Sequence, residues 1–466
     1  MVSTLPSTDS PIPSSREYVE SDDFESPNQR RLPLGARVNG HDHLEIGGCD
    51  VVELVQEFGS PLYILDEITL RSACQHYRQA FTQNYPGDSL VMYASKAWNC
   101  LAVCAIAIQE GLAIDVVSSG ELLTALRAGA APKNLYFHGN NKSQSELQQG
   151  IAAGCRIVVD NWHELKTLSR LARETTPATI LLRLTPGIEC HTHEYIQTGH
   201  LDSKFGFDPE QLDAVFAYVA QQPALTCIGL HAHIGSQIFE LQPHRDLAGV
   251  LVNWMEAAKR HGLPISELDV GGGLGIRYTE ADDPPSIAAW VRVVCEHMVN
   301  ACQIAKVPLP RLICEPGRSL IGTACVTAYT VGGQKTVPGI RTYAAVDGGM
   351  SDNPRPITYG AIHQLLAANK MSAPRSETVT LAGKHCESGD VLIHDAQLPT
   401  LSAGDIVVVP ATGAYNYSMA SNYNRVPRPA AVLVKNGQAA LIVERETDAD
   451  LIRYDRLPPR LKGAGE

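Results

Sequence analysis

Side chains that can carry covalent or acid–base chemistry stand at the ends of short apolar runs in this sequence. Lys96 follows the run SLVMYAS, and Glu315 and Arg318 follow the run RLIC. A lysine amine in a desolvated pocket is nucleophilic and can form a Schiff base with an aldehyde. A buried carboxylate such as Glu315 needs a cationic partner, which could be the ring nitrogen of a cofactor or simply Arg318. A surface-loop lysine and a plain ion pair are the structural alternatives.

Two glycine-containing turns have the composition of an anion-binding loop. LDVGGGLG places Gly271, Gly272 and Gly273 after an apolar run, and HIGS contributes Gly235 and Ser236. Successive residues without a Cβ let backbone N–H groups approach a phosphate. The first turn lacks the lysine of a P-loop, and its spacing does not fit the dinucleotide fingerprint. These turns therefore indicate a phosphate cradle of another kind, with a plain tight loop as the alternative.

Two His-x-His pairs, His191/His193 and His231/His233, invite a metal interpretation. Such a pair at a strand end can place two imidazoles on one ion. However, His233 precedes Gly-Ser, and no clearly placed carboxylate completes a ligand set. We therefore predict no metal and expect the ring of His233 to stack against a planar cofactor.

The elements that must position these residues follow a regular alternation. Between the strand-like runs lie helical stretches, one of which opens with Ser143-x-x-Glu146, a capping box. The strand-like runs are 89–95, 112–117, 134–139, 156–160, 179–184, 226–234, 267–272 and 311–315. Eight such units predict an α/β fold, a (β/α)₈ TIM-type barrel over residues 68–325, with an open doubly wound sheet as the competing architecture.

In a barrel of this kind, functional residues lie at the C-terminal ends of the strands. The reactive residues of this chain fall at those positions: Lys96, Asp115, His138, Asn140, Asn141, Arg183, His231, His233, Gly271–Gly273, Glu315 and Arg318. Their convergence on one mouth predicts one site.

The rest of the chain divides by composition. Residues 326–466 carry short runs separated by Gly, Pro and Asp turns, which predicts a β-rich second domain. The segment 36–67 is partly strand-like, and we expect it to join that domain. Residues 1–35 are dominated by Ser, Pro, Asp and Glu, which is typical of a disordered tail.

The net charge and the cysteines limit the classes of binding partner and the cellular compartment that we expect. The net charge of −12 argues against nucleic acid or an anionic membrane as the main partner, because both need a basic face. No apolar run approaches the roughly 20 residues that span a bilayer. The 12 cysteines form no framework and no CxxC pair, so we expect reduced thiols in a cytoplasmic protein that acts on a small molecule.

Taken together, the motifs resemble those of the fold-type III pyridoxal-phosphate-dependent decarboxylases over about residues 45–435. The motifs that carry the resemblance are YASKAWN, HGNNKS, RLTPGIECHTHEYIQTGHLDSKFGF, GLHAHIGSQ, DVGGGLG, CEPGRSLIG, VDGGMSDNPRPITYGA, CESGD and GAYNYSMASNYNRVPRP. Within that family they are most similar to the motifs of members that act on diaminopimelate.

The resemblance implies a role for each matching residue. Those that match contacts to the pyridoxal 5′-phosphate cofactor are Lys96 as the Schiff-base lysine, Asp115, His233, Gly235, Ser236, Gly272, Gly273, Glu315, Gly317, Arg318 and Tyr415. Those that match substrate contacts are Arg318, Arg355, Tyr359, Glu387 and Tyr415. Cys386 matches a catalytic proton donor, and in this family it and Glu387 come from the partner subunit of a homodimer.

The implied reaction is the conversion of meso-2,6-diaminopimelate to L-lysine and CO₂. A carboxylate at Glu315 favours a protonated cofactor ring and therefore decarboxylation over racemisation. Two arginines suit a substrate with a second carboxylate at its far end, which diaminopimelate has and ornithine lacks. The alternatives are a decarboxylase of another basic amino acid such as ornithine or arginine, a metal-dependent barrel hydrolase, and a cofactor-carrying barrel without catalysis.

Overall fold

Strands and helices alternate through the first two thirds of the chain. The computed structural model describes residues 26–188 and 202–461. Its strands are β1 (Arg37–Val38), β2 (Leu44–Ile46), β3 (Cys49–Asp50), β4 (Leu62–Asp66), β5 (Ser89–Ala94), β6 (Ala113–Val116), β7 (Leu135–Phe137), β8 (Arg156–Val159), β9 (Ala178–Arg183), β10 (Leu225–His231), β11 (Glu267–Asp269), β12 (Arg311–Cys314), β13 (Cys325–Val337), β14 (Arg341–Val346), β15 (Leu366–Ala367), β16 (Glu377–Ala382), β17 (Val391–Leu398), β18 (Ile406–Val409), β19 (Ala430–Lys435) and β20 (Gln438–Val443).

The helices lie mainly between the strands of the first part. They are α1 (Val51–Phe58), α2 (Glu67–Asn84), α3 (Leu101–Gln109), α4 (Ser119–Arg127), α5 (Gln144–Ala153), α6 (Trp162–Leu171), α7 (Leu212–Ala220), α8 (Gln242–Arg260), α9 (Ile287–Ala305), α10 (Arg318–Ile321), α11 (Arg355–Tyr359) and α12 (Asp448–Ile452). The predicted capping box is present at the start of α5, where Ser143 and Glu146 bond each other's backbone N–H. Among these described helices, none is long and apolar enough to cross a membrane.

Strands β5 to β12 form a closed parallel barrel in their order along the chain. The last strand pairs with the first, with Leu312 opposite Ser89. Each of the eight runs predicted from sequence overlaps one of these strands, so the (β/α)₈ barrel is confirmed and the open sheet is wrong. Fully buried side chains such as Met92, Tyr136 and Leu181 fill the barrel interior, which leaves the C-terminal mouth for a site.

A second sheet lies beyond the barrel, and the predicted β-rich domain is thereby confirmed. Its strand order is β17-β16-β14-β13-β4-β19-β20, with β18 pairing with β13 and β15. Strand β4, from the segment 36–67, pairs antiparallel with β13 and parallel with β19. Leu44 and Ile46 of the small sheet β1-β2-β3 pack against Val326 and Val432 of the large one.

The expected tail is wrong for residues 26–35, and residues 1–25 lie outside the described part of the chain. Asn28 is fully buried, and its side-chain amide donates to the carbonyl oxygens of Gly275 and Pro285 at 3.1 and 3.0 Å. Leu32 is buried as well. A polar segment of this composition can be ordered when its side chains satisfy buried backbone groups, a role that composition does not reveal.

Candidate active site

A cavity of about 760 Å³ opens at the C-terminal ends of the barrel strands. The sequence-predicted residues that line it are Lys96, Asp115, His233, Ser236, Gly273, Glu315, Gly317, Arg318, Arg355, Tyr359 and Tyr415. Gly235 and Gly272 lie directly behind this lining, next to Gly273 and His233 respectively. The barrel mouth thus brings together nearly all the residues that the sequence assigned to one site.

Lys96 follows β5 in a short turn and projects into the cavity. Its side chain is exposed to this open cavity, and the residues before and after it are buried. Burial alone would lower the pKa of its ammonium, but the charges of Asp115, Tyr415 and Glu315 outweigh burial and raise the pKa. The amine is therefore cationic in the protein alone and is stabilised by the acidic groups near it.

Glu315 is flanked by two histidines. His138 Nε2 lies 2.9 Å from Glu315 Oε1, and His231 Nε2 lies 3.4 Å from Oε2. Burial would raise the pKa of Glu315, but these two imidazoles outweigh it and hold the pKa well below its usual range. Burial, opposed by Glu315, lowers the pKa of His231 to about 4, so that His231 is neutral at pH 7.

Glu315 Oε1 lies 2.9 Å from His138 Nε2, but the two atoms are not aligned as a hydrogen bond. Within the described residues, buried Glu315 Oε1 and Asp115 Oδ1 have no aligned hydrogen-bond donor. The sequence alternative of a Glu315–Arg318 ion pair is wrong, because Arg318 donates instead to Ser236 and Tyr278. A buried anionic oxygen that faces the cavity needs a cationic or hydrogen-bonding ligand there.

The histidines also correct an argument made from sequence. Ligand atoms of His138, His231 and Glu315 lie within 4.8 Å of one another, so a carboxylate does stand beside His231. The second imidazole comes from His138 at the end of β7 and not from His233, because closing the barrel brings separate strand ends to one point. The pair His191/His193 lies outside the described residues.

The glycine loop after β11 is shaped for close approach. A Cβ on Gly272 would collide with the carbonyl oxygen of Glu315, and Gly273 adopts a φ of +123° that favours glycine. His233 Nδ1 accepts the N–H of Gly272 at 3.2 Å, which requires a neutral ring. Burial lowers the pKa of His233 well below its usual value and keeps the ring neutral. Backbone and ring are thus fixed around an anion-sized space.

Two arginines form the opposite end of the cavity. Arg318 donates to Ser236 Oγ at 3.0 Å and to Tyr278 Oη at 2.6 Å. Arg355 lies with its guanidinium carbon 4.7 Å from the centre of the Tyr278 ring. Its Nε and Nη1 are buried and find no hydrogen-bond acceptor among the described residues. Two donors aimed in this way suit a carboxylate ligand.

Tyr359 and Tyr415 complete this end. Tyr359 is half-buried in the cavity wall. Tyr415 lies with its ring 4.8 Å from the guanidinium carbon of Arg318. Tyr415 has a φ of +60°, which is uncommon for a residue with a Cβ and is found often at functional sites.

Cys386 and Glu387 lie away from the cavity of their own chain. Both are exposed, and neither belongs to the described lining. Their loop is nevertheless held firmly, since His385 Nδ1 contacts Asp390 Oδ2 at 2.8 Å and the Cys386 N–H donates to Asn424. The loop therefore presents its thiol outward from a fixed base.

Sequence reasoning did not single out Tyr278, Thr279 or Asp282, which line the cavity. Tyr278 stands three residues after the GGGLG turn, and its position in that loop was the available signal. Arg183 was placed at a strand end but given no role. It lines the cavity and stacks on Phe205, with its guanidinium carbon 4.2 Å from the ring centre.

These residues fit pyridoxal phosphate. The site offers a lysine amine for the aldehyde, a buried anionic oxygen for the ring nitrogen, and a glycine loop with Ser236 for the phosphate. Residues 68–322 match the model of the pyridoxal-dependent decarboxylase family, pyridoxal binding domain. The chain belongs to this family of pyridoxal-phosphate-dependent carboxy-lyases, and the cofactor and reaction class predicted from sequence are confirmed.

The relatives narrow the class further. The chain is 62% identical to a diaminopimelate decarboxylase of Synechocystis over 98% of this chain and 99% of that one. It is 45% identical to a diaminopimelate decarboxylase of Bacillus subtilis, over 90% of this chain and 97% of that one. A crystal structure of the M. jannaschii diaminopimelate decarboxylase in co-complex with L-lysine has a TM-score of 0.84 and 32% identity, covering 94% of this chain and 100% of that one.

Proposed function

We propose that this protein removes CO₂ from meso-2,6-diaminopimelate and releases L-lysine. The observation that carries the proposal is buried Arg355, whose two partnerless donors face the cavity that also holds Lys96. The relatives named above support the same substrate. A substrate with only one carboxylate, such as ornithine, would leave these donors unsatisfied, and a buried unpaired donor costs about 1–3 kcal/mol.

Bound pyridoxal phosphate supplies an electron sink for the electron pair left when the Cα–carboxylate bond breaks. Lys96 would hold its aldehyde carbon, and Glu315, kept anionic by His138 and His231, would hold a proton on the ring nitrogen. His233, neutral and fixed by Gly272, would support the ring face. Each of these groups acts by holding charge or position, and each lies at a strand end of one barrel.

The phosphate and the substrate would use the remaining lining. Gly235, Ser236, Gly272, Gly273 and Gly317 form the phosphate cradle, and Asp115 faces the Lys96 side of the site. The residues proposed to hold the substrate are Arg318, Arg355, Tyr359 and Tyr415, with Arg318 and Tyr415 also bordering the cofactor. These assignments stay predictions.

Decarboxylation ends with a proton returned to the same carbon, and Cys386 is the proposed donor. Because Cys386 and Glu387 are exposed and are not among the described residues that line this cavity, we propose that they enter the cavity of a second copy. The enzyme would then be a homodimer with shared sites. Its cytoplasmic location also stays a prediction.

The test is CO₂ release from a panel of meso-diaminopimelate, ornithine, arginine and lysine by holoenzyme. We expect turnover of meso-diaminopimelate and its loss in Arg355→Ala. Arg37→Ala, which removes an exposed arginine on β1, serves as the matched control. An unchanged rate for Arg355→Ala, or faster turnover of ornithine or arginine, would contradict the substrate assignment.

The attachment point is tested separately. Sodium borohydride treatment of the yellow holoenzyme, followed by peptide mass mapping, should leave the cofactor on the peptide that contains Lys96. A colourless protein that EDTA inactivates would instead favour the metal-dependent hydrolase.

A further inference from the structure

A short stretch of chain before the barrel is bonded to the rim of the cavity. We call residues 26–31 the N-terminal strap and residues 275–286 the rim loop. The rim loop follows the glycine turn and supplies Tyr278, Thr279 and Asp282 to the cavity. Sequence composition assigned the strap to a tail, yet its Asn28 is fully buried.

The strap bonds the rim loop near both of its ends. The Asn28 amide donates to Gly275 O at 3.1 Å and to Pro285 O at 3.0 Å, and Asn28 O accepts the N–H of Arg277 at 3.0 Å. Gln29 Nε2 donates to Pro284 O at 3.0 Å. One buried side chain therefore joins the start and the end of a loop that has no regular secondary structure of its own.

The strap is itself anchored to neighbouring parts of the chain. Thr323 donates to Pro27 O at 2.9 Å, and the N–H of Ile287, the first residue of α9, donates to Ser26 Oγ at 3.1 Å. Arg31 reaches Glu280 in the rim loop at 3.0 Å and Gln364 at 2.6 Å. The strap thus ties the rim loop to the barrel and to the chain beyond it.

The centre of the rim loop holds Tyr278 between the two arginines. Its hydroxyl accepts Arg318 Nη1 at 2.6 Å, and its ring lies 4.7 Å from the Arg355 guanidinium carbon. Asp282 accepts the N–H groups of Tyr278 and Thr279 at 3.0 and 2.8 Å, which fixes the turn that carries the ring. A movement of the rim loop would therefore move the tyrosine hydroxyl that accepts from Arg318 Nη1.

We infer that Asn28 and Tyr278 are positioning residues for substrate: the strap holds the rim loop so that Tyr278 sets the spacing of Arg318 and Arg355 for the far carboxylate. This inference rests on the proposed function, since it takes the two arginines as the carboxylate site. It assigns the strap a part in substrate affinity and none in cofactor attachment.

The test compares full-length holoenzyme variants with meso-diaminopimelate as substrate. Loss of two buried hydrogen bonds predicts that Asn28→Ala raises KM about tenfold or more, while kcat and the affinity for added pyridoxal phosphate change by less than about twofold. Tyr278→Phe should raise KM in the same way. The double variant should add little to the larger single effect, because the two residues act through one loop.

Asn84→Ala is the matched control, since the Asn84 amide also donates to a backbone carbonyl, at 2.7 Å, but on α2 away from the cavity. It should leave KM unchanged. If Asn28→Ala does not fold, Gln29→Ala removes only the bond to Pro284 and should raise KM by a smaller factor.

If the wild type is active but KM is unchanged in Asn28→Ala or Gln29→Ala, this inference is wrong and the proposed function stands. Additive effects in the double variant would contradict the inference in the same way. A wild type that releases no CO₂ from meso-diaminopimelate would overturn the proposed function first.

Discussion

The barrel mouth and the loop that carries Cys386 differ in the burial of their functional side chains. At the barrel mouth, Glu315 and Asp115 are buried at 7% and 2% exposure, and their neighbours all come from strand ends of the same chain. In the loop, Cys386 and Glu387 are exposed and are not among the residues that line the cavity of their own chain. The residues of the first region meet within one chain, whereas we propose that those of the second act in the cavity of a partner.

The exposed loop is nevertheless anchored by buried hydrogen bonds. Asp390 is buried, contacts His385 and accepts the N–H of Met350 at 2.7 Å. Met350 lies in the turn that leads to Arg355, so the same carboxylate links the thiol loop to the substrate end. An exposed residue on a rigid base is what a partner-completed site requires.

The largest expected effect on CO₂ release comes from inactivating one region in one chain and the other region in a second chain. Lys96→Ala should reduce CO₂ release to background, and Cys386→Ala should reduce kcat about 10²- to 10⁴-fold, the range for loss of a general acid. If the regions meet across a dimer, co-refolding equal amounts of the two variants should restore about one quarter of wild-type activity. Half of the dimers are then mixed, and each mixed dimer has one intact site of two.

A matched mixture checks that the recovery comes from shared sites. Lys96→Ala mixed with the double variant Lys96→Ala/Cys386→Ala contains no intact Lys96 and should recover nothing. If the first mixture also fails to recover while dimers form, each chain is self-sufficient and the division between the regions is wrong.

The barrel and the residues at its mouth could be predicted from the sequence, because the barrel strands are visible as local apolar runs. Each strand is a short apolar run, and Lys96, Glu315 and the glycine turn stand directly after such runs. Their convergence needs only the rule that functional residues lie at the C-terminal ends of parallel barrel strands. The fold and the cofactor end of the site were therefore predictable.

The parts that were missed depend on contacts between segments distant in sequence. His138 and His231 flank Glu315 only because the barrel closes, and the strap is ordered because Asn28 bonds backbone carbonyls that no side-chain pattern reveals. Tyr278 gains its importance from two arginines 40 and 77 residues away. Such pairings are tertiary, so composition and periodicity carry no signal for them.

A smaller effect is expected from loosening the base of the thiol loop. Asp390→Asn removes one of the acceptors that hold His385 and Met350, and a buried hydrogen bond is worth about 0.5–1.5 kcal/mol, so kcat should fall up to about tenfold. KM and the cofactor absorbance should change little. In a Cys386→Ala background the same substitution should have no further effect on kcat, because the loop then presents no acid.

The control for this prediction is Asp405→Asn, which disturbs a comparable cluster with Lys370 and Ser402 in the second sheet. It should lower thermal stability and leave kcat unchanged. Equal loss of kcat from Asp390→Asn with and without Cys386 would mean that the loop has a structural role only.

The smallest effect concerns two buried carboxyl groups whose pKa values are shifted in opposite directions. Imidazoles keep the pKa of Glu315 well below its usual range, whereas burial raises the pKa of Asp352, bonded to the Tyr329 hydroxyl and the Gly349 N–H, to about 7. The pKa of Asp352 is higher in the folded state than its value of 3.8 in the unfolded state. At a pH between the two pKa values, Asp352 is therefore protonated in the folded state and ionised in the unfolded state. Its contribution to the free energy of unfolding therefore falls as the pH rises from about 4 to about 7.

Asp352→Asn should remove that component, so that the difference in Tm between pH 5 and pH 8 becomes smaller than in the wild type. Asp455→Asn, at an exposed carboxylate, should leave the wild-type difference unchanged. Calorimetry of the cofactor-loaded proteins at several pH values measures both. If Asp352→Asn kept the full wild-type pH dependence, another carboxyl group with a raised pKa, such as Glu121, would have to supply it, and the role assigned to Asp352 would be wrong.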